Sequence, residues 1–312
     1  MQSLFLTEYV KSSMFLQDLN DKLSNRDVNF DLIASDINYG ECPILAITPD
    51  NKPDNAPLIN ARKDAITTAK HPLIILNELN FNFFIPLIKS LKKEQNITIL
   101  NMYTWLWSYG SKLFPETNDL DIIPNEFNIF EPIDLENLWN ILKKNWKQYI
   151  RILHKEMPNA IFDVDELWII DSELLNNLDS ISLKTYWFVW NDWTILATGS
   201  LFATAIQTWE ILQNHNKQLN IFILQHLNFD WSDSIIDTIK TSQKLFIIID
   251  HDNSDSIKQQ VNNIINHLHL KNIQVNIISP KYENLTTIFN EYQEEQTNFN
   301  PEYLANRIIS KL

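Results

Sequence analysis

Glycine is nearly missing from this chain of 312 residues: only Gly40, Gly110 and Gly199 occur. Average usage of about 7% would give some twenty. Glycine lets backbone approach phosphate closely and take positive φ, and neither a GxGxxG turn nor a Walker loop is present. A nucleotide-like cofactor would therefore need another chain to hold its phosphates. Cysteine occurs once, at Cys42, which excludes an internal disulfide and a cysteine-cluster metal site; it reads as a buried bystander rather than a nucleophile. No apolar run approaches the roughly 20 residues that span a bilayer, so no membrane partner is expected. Met1–Leu6 lacks the basic start and long apolar core of a secretory signal, and cytoplasmic residence is the default expectation. Basic residues are outnumbered, 25 Lys and Arg against 39 Asp and Glu, for a net charge of -14. Such a chain repels phosphate backbones, and no nucleic-acid partner is expected.

What is present is apolar and aromatic. Hydrophobic residues make up 45% of the chain and tryptophan occurs ten times, ample for real cores. The length suggests two domains on a prior of about 150 residues each. The periodicity of Leu4–Leu23 predicts an amphipathic helix. Strands are predicted at Phe30–Ala34, Ile44–Ile47, Pro72–Leu76, Ile97–Asn101, Phe127–Phe130 and Tyr149–Leu153, with helices at Ala61–Ala69 and Asn80–Leu91. Asp134 is expected to cap a helix over Leu135–Trp146, whose early acids and late lysines suit the helix dipole. Residues 163–185 gather acidic side chains and read as a linker or connecting hairpin. Beyond them, Trp193–Thr198 runs into a Gly199-Ser200 turn and a helix. Three more apolar strands follow at Ile221–Leu224, Leu245–Ile249 and Ile273–Ile278, alternating with helices. That rhythm predicts an α/β fold of two three-layer α/β/α domains, each on a mostly parallel sheet, over residues 1–162 and 186–312.

Several of these words resemble one enzyme family. Thr194–Ser200 with its helix, Ile221–Leu224, Asp233–Ile239, Lys244–His251 and the tail Asn298–Ile309 resemble the C-terminal domain of transketolase-like thiamine diphosphate enzymes. Phe30–Gly40, Pro57–Ala61, Phe81-Asn82-Phe83, Phe127–Asp134 and Tyr149–Arg151 are similar, in order, to the same family's pyrimidine-binding domain. The likeness is to the beta subunit of 2-oxoacid dehydrogenases or to the C-terminal half of a split transketolase. It implies thiamine diphosphate as cofactor, with its magnesium and diphosphate held by an alpha-type partner subunit, or else self-association. It places Ile59, Phe81 and Phe83 toward the cofactor's pyrimidine ring; core packing is the alternative reading of each phenylalanine.

The departures matter as much. The family's cofactor-activating glutamate falls at Ala61, and an alanine cannot relay a proton. Loss of such a relay costs on the order of 10²–10⁴ in rate, roughly 3–5 kcal/mol. The family's histidine-bearing loop is not recognisable in Met102–Asn118. Glu78 is the candidate substitute acid, against its plain reading as a solvated loop carboxylate. Arg151, ending a strand, meets an anionic substrate or makes a strand-end ion pair at the surface. His154, His226 and His251 follow apolar runs and read as surface or satisfied histidines. His267 and His269, two apart on a predicted helix, face different ways and make a poor metal pair. The resemblance thus implies a beta-type subunit that is degenerate; the alternatives are an active half transferring two-carbon ketol units, and a scaffold that kept only the fold. As a hypothesis, a genetic code in which some Trp codons are read as glycine would account for both the rare glycine and the frequent tryptophan, since the family has small residues where Trp190 and Trp193 stand.

Overall fold

The computed structural model describes residues 5–25, 27, 30–35, 64, 66–77, 88–89, 96–102, 123–144, 147–152, 156–163, 168–170, 180–185, 193–217, 219–227, 233–249, 255–267, 272–279 and 300–311. Two α/β units are built on two sheets. The first sheet has five strands, β2 (Asp31–Ser35), β3 (Pro72–Asn77), β4 (Thr98–Met102), β5 (Asn128–Phe130) and β6 (Gln148–Ile152). Their order is β2-β3-β4-β6-β5 and every pairing is parallel. A parallel sheet is covered on both faces, and the alternation within each strand divides accordingly. Leu73, Ile75, Leu100, Ile150 and Ile152 pack against Phe15 and Leu19 of helix α1 (Ser12–Ser24) and against Leu138 and Ile141 of helix α2 (Leu135–Leu142). Ile74, Ile99, Ile129 and Tyr149 pack on the opposite face with Ile66, Ile88 and Phe127.

The second sheet is ordered β13-β12-β10-β11-β9-β8. Its parallel centre is β10 (Trp193–Thr198), β11 (Leu219–Leu224), β12 (Lys244–Ile248) and β13 (Gln274–Ile278). Strands β8 (Trp168–Ile170) and β9 (Ser180–Thr185) pair antiparallel, and β9 adds antiparallel to β11. A hairpin within 163–185 therefore widens the second sheet. On one face, Trp193, Ile195, Ile221, Ile223, Phe246 and Ile248 pack against helix α3 (Phe202–Asn214) through Ala205, Ile206, Trp209 and Leu212, and against helix α6 (Pro301–Ile309) through Leu304 and Ile308. On the other, Leu196, Phe222, Leu245 and Ile247 meet Ile235 and Ile239 of helix α4 (Asp233–Ser242) and Val261 and Ile264 of helix α5 (Asp255–His267). Each such side chain, fully buried, contributes roughly 1.5–3 kcal/mol of transfer free energy. This is the predicted α/β fold class with its three layers.

The N-terminal expectation is corrected. Residues Phe5–Lys11 form a strand, β1, before α1 begins at Ser12. It pairs antiparallel with β7 (Glu156–Asp163), with a register shift between Thr7 and Tyr9. The apolar spacing that reads as helical is satisfied instead by a partner strand from far along the chain, a case of tertiary context overriding local pattern. Helix α2 is also shorter than expected, ending at Leu142.

Helix ends show how the chain manages with so little glycine. Asp134 caps α2, its Oδ1 accepting from Asn137 N at 2.6 Å. Asn300 caps α6, its side chain accepting from Tyr303 N at 2.8 Å with Pro301 in the first turn. After α3, Asn216 takes φ 57. Its N–H donates to Gln213 O at 2.8 Å while Lys217 N donates to Leu212 O at 3.3 Å, a Schellman ending with asparagine where glycine is usual. Gln243 follows α4 at φ 56, its N–H donating to Ile239 O at 2.8 Å, the simpler left-handed ending with a single such bond.

Candidate functional site at the carboxyl ends of the strands

In open α/β sheets, ligands bind outside the carboxyl ends of the strands. At that end of the first sheet the register aligns Asn101 of β4 with Arg151 of β6. Phe130 aligns with Ile150, so Glu131 emerges from β5 beside Arg151. All three polar side chains are buried: Asn101 and Glu131 are 0% exposed and Arg151 is 1% exposed. The Arg151 guanidinium donates to the Glu131 carboxylate. The expectation of a surface pair for Arg151 is therefore corrected: it is an interior ion pair. Two charges removed from water are tolerated because each neutralises the other, and removing one partner alone costs about 3–5 kcal/mol. Asn101 Nδ2 donates to the Tyr149 hydroxyl, while among the described residues nothing hydrogen-bonds its Oδ1.

The second unit closes over this end. Glu131 N donates to Gln225 O and Leu227 N donates to Ile129 O, both at 2.8 Å. These bonds form an antiparallel bridge between Phe130 and His226. Their rings stack with centroids 4.5 Å apart and planes at 24°. His226 is buried, which corrects the surface alternative for this histidine. Gln225 is also fully buried, and among the described residues neither end of its side-chain amide has a hydrogen-bond partner. Gly199, at the turn after β10, comes so close that an added Cβ would lie 1.9 Å from Glu131 O.

Ile59, Ala61, Glu78, Phe81 and Phe83 lie outside the described residues, as do Cys42, His154, His251 and His269. Strand β3 ends at Asn77, opposite Met102 of β4, at the same end of the sheet as Asn101, Arg151 and Glu131. His267 closes helix α5. Among the described residues, no group of three or more His, Cys, Asp or Glu side chains could hold a metal ion, and no helix is long and apolar enough to cross a membrane.

Two described carboxylates are buried at this end of the sheet, and both are engaged: Glu131 neutralises Arg151 and Asp134 caps α2. The buried polar seam of Glu131, Arg151, Gln225 and Gly199 was not found by sequence reasoning. Its one local signal was a lone retained glycine at the end of an apolar strand.

No protein-family model matches the sequence, and no curated protein matches it. The fold nevertheless defines a class: a protein of two α/β units with a transketolase-like fold. An inactive beta4 tetramer of a split-gene transketolase matches at 13% identity and TM-score 0.66, over 96% of this chain and 96% of that one. Transketolase from Campylobacter jejuni matches at 14% identity and TM-score 0.52, over 77% of this chain and 35% of its own. Transketolase from Pichia stipitis in complex with sedoheptulose 7-phosphate matches at 14% identity and TM-score 0.51, over 76% and 33%. The chain thus spans about a third of the length of the two transketolases and 96% of the split-gene chain.

Proposed function

We propose that this chain is the beta-type half of a two-chain, transketolase-like assembly, and that it contributes assembly and part of a coenzyme pocket without activating the coenzyme itself. The observation that carries the reading is the end-to-end correspondence with a split-gene transketolase chain. The lack of any glycine-rich phosphate loop accords with a partner that holds the diphosphate and its magnesium. Ala61 in place of the family's glutamate, together with the engagement of Glu131 and Asp134 elsewhere, supports a chain that has lost the relay. Thiamine diphosphate is the cofactor such a pocket would take; when bound it supplies the carbanion chemistry that this chain's own side chains lack. A cytoplasmic protein, with an alpha-type chain or further copies of itself as partner, completes the reading.

The test is reconstitution with an alpha-type chain, followed by calorimetry with thiamine diphosphate and magnesium and by a ketol-transfer assay. The pair is expected to bind the coenzyme and turn over poorly, and Ala61→Glu is expected to raise turnover by about 10² or more. Unchanged turnover would refute the placement of Ala61. A second reading is an active half in which Glu78 is the acid, favoured by the exit of β3 at the sheet's carboxyl end. It requires activity in the unmodified pair that Glu78→Gln abolishes. Failure of the pair to bind coenzyme at all would leave the third reading, a scaffold.

A further inference from the structure

We propose that Phe130-Glu131, Gly199 and Gln225-His226 form an interdomain clasp that makes the two α/β units open and unfold as one body. Two hydrogen bonds of 2.8 Å join main chain to main chain across the seam, so the clasp is a β-bridge between a strand end of one sheet and the exit of a strand in the other. Side chains can adapt around a loose junction, but a main-chain bridge fixes both distance and direction. The Phe130–His226 stack covers the bridge. The Arg151–Glu131 pair holds the Glu131 backbone from beneath, within the first unit. Opening the seam would hydrate groups that are fully buried when it is shut, while apolar Ile129 and Leu227 would lose each other as neighbours in one continuous core.

Gly199 is the second, independent observation. A Cβ there meets the Glu131 carbonyl oxygen and carbon at 1.9 and 2.9 Å. That obstacle is main chain and cannot swing aside. Elsewhere this chain places asparagine or glutamine where backbone sign favours glycine. At Gly199 close approach of a second unit leaves no such substitute, since every other residue carries a Cβ. The clasp also sits at the carboxyl ends of β5 and β11. It therefore sets the spacing between the carboxyl end of the first sheet and the second unit.

Native-state hydrogen exchange of the full chain at increasing denaturant tests this without partner or coenzyme. Core amides of the first sheet, such as Ile99 and Ile150, and of the second, such as Ile195 and Ile247, are expected to exchange with one opening free energy and one denaturant slope. Gly199→Ala is expected to split them into two classes whose exchange differs by about tenfold or more, each unit keeping its own protected core. His226→Ala, which removes the stack but adds no clash, is expected to do the same to a smaller degree. Two distinct slopes in the unmodified protein, or two sheets that stay in step in both variants, would overturn the clasp. If Gly199→Ala does not fold, the unmodified protein and His226→Ala decide.

Discussion

Asn216, Gln243 and Asn272, at φ 57, 56 and 70, carry a cost that a glycine-poor chain accepts. The left-handed region costs an L-residue roughly 1–2 kcal/mol, least for asparagine, whose short side chain bonds locally. Gln243 is the least suited of the three. Gln243→Gly is therefore expected to stabilise by about 0.5–1 kcal/mol, after glycine's own entropy loss is counted. Asn216→Gly is expected to change stability by a few tenths at most; chemical denaturation of both variants checks the ranking. The same three positions bear on the hypothesis of tryptophan codons read as glycine. None of the described tryptophans is among the described non-glycine residues at positive φ. Trp193 is 2% exposed, meets Phe246 edge-on at 5.8 Å, and has the Lys217 ammonium 5.5 Å from its ring centroid. Trp209 donates its Nε1–H to Leu219 O at 3.3 Å from inside the same core. Both sites use a large indole, and a glycine at either would leave a cavity costing about 3–5 kcal/mol. Mass spectrometry of the native protein is expected to find tryptophan at 193; glycine there would reject the packing just described.

At the scale of elements, the ion pair between β6 and the end of β5 makes a sharper prediction than any single contact. Arg151→Met alone strands the Glu131 carboxylate in the interior and is expected to cost about 3–5 kcal/mol. Combining it with Glu131→Leu removes both charges and is expected to recover most of that loss, because an interior pair and an apolar pair of like volume are often near parity. No recovery in the double variant, measured by denaturant unfolding, would mean that the pair is worth more than its mutual neutralisation. The strands themselves were largely legible in the sequence. Pro72–Leu76, Ile97–Asn101 and Ile221–Leu224 are short apolar runs between polar turns, and each is a central strand in the structure. Two things were not legible, for one physical reason. Phe5–Val10 shows helical spacing but pairs with β7. Arg151 follows an apolar run as a surface residue would, but the exit of β11 bridges across Glu131 beside it. In both cases the deciding partner is distant in the chain, and local periodicity carries no information about it. The candidate cofactor corner at 57–61 was reached through resemblance alone and lies outside the described residues.

The molecule as a whole carries a charge of -14 on 312 residues, and that charge separates the two kinds of partner. Copies of this chain repel one another at long range, and a tetramer like the split-gene beta4 assembly would gather four such charges. Screening relieves this: the Debye length falls from about 30 Å at 0.01 M salt to about 10 Å at 0.1 M. Self-association is thus expected to strengthen as salt rises through that range. An alpha-type partner that is complementary in charge would be drawn in by the same field, and its binding is expected to weaken over the same range. Light scattering of the chain alone, and of the chain mixed with a candidate partner, reads both signs from one salt series. Masses in multiples of 36.7 kDa that grow with salt would identify the chain as its own partner. A chain that stays monomeric at every salt concentration, alone and mixed, would remove the two-chain pocket on which the proposed function depends, because half a pocket on one chain has nothing to close it.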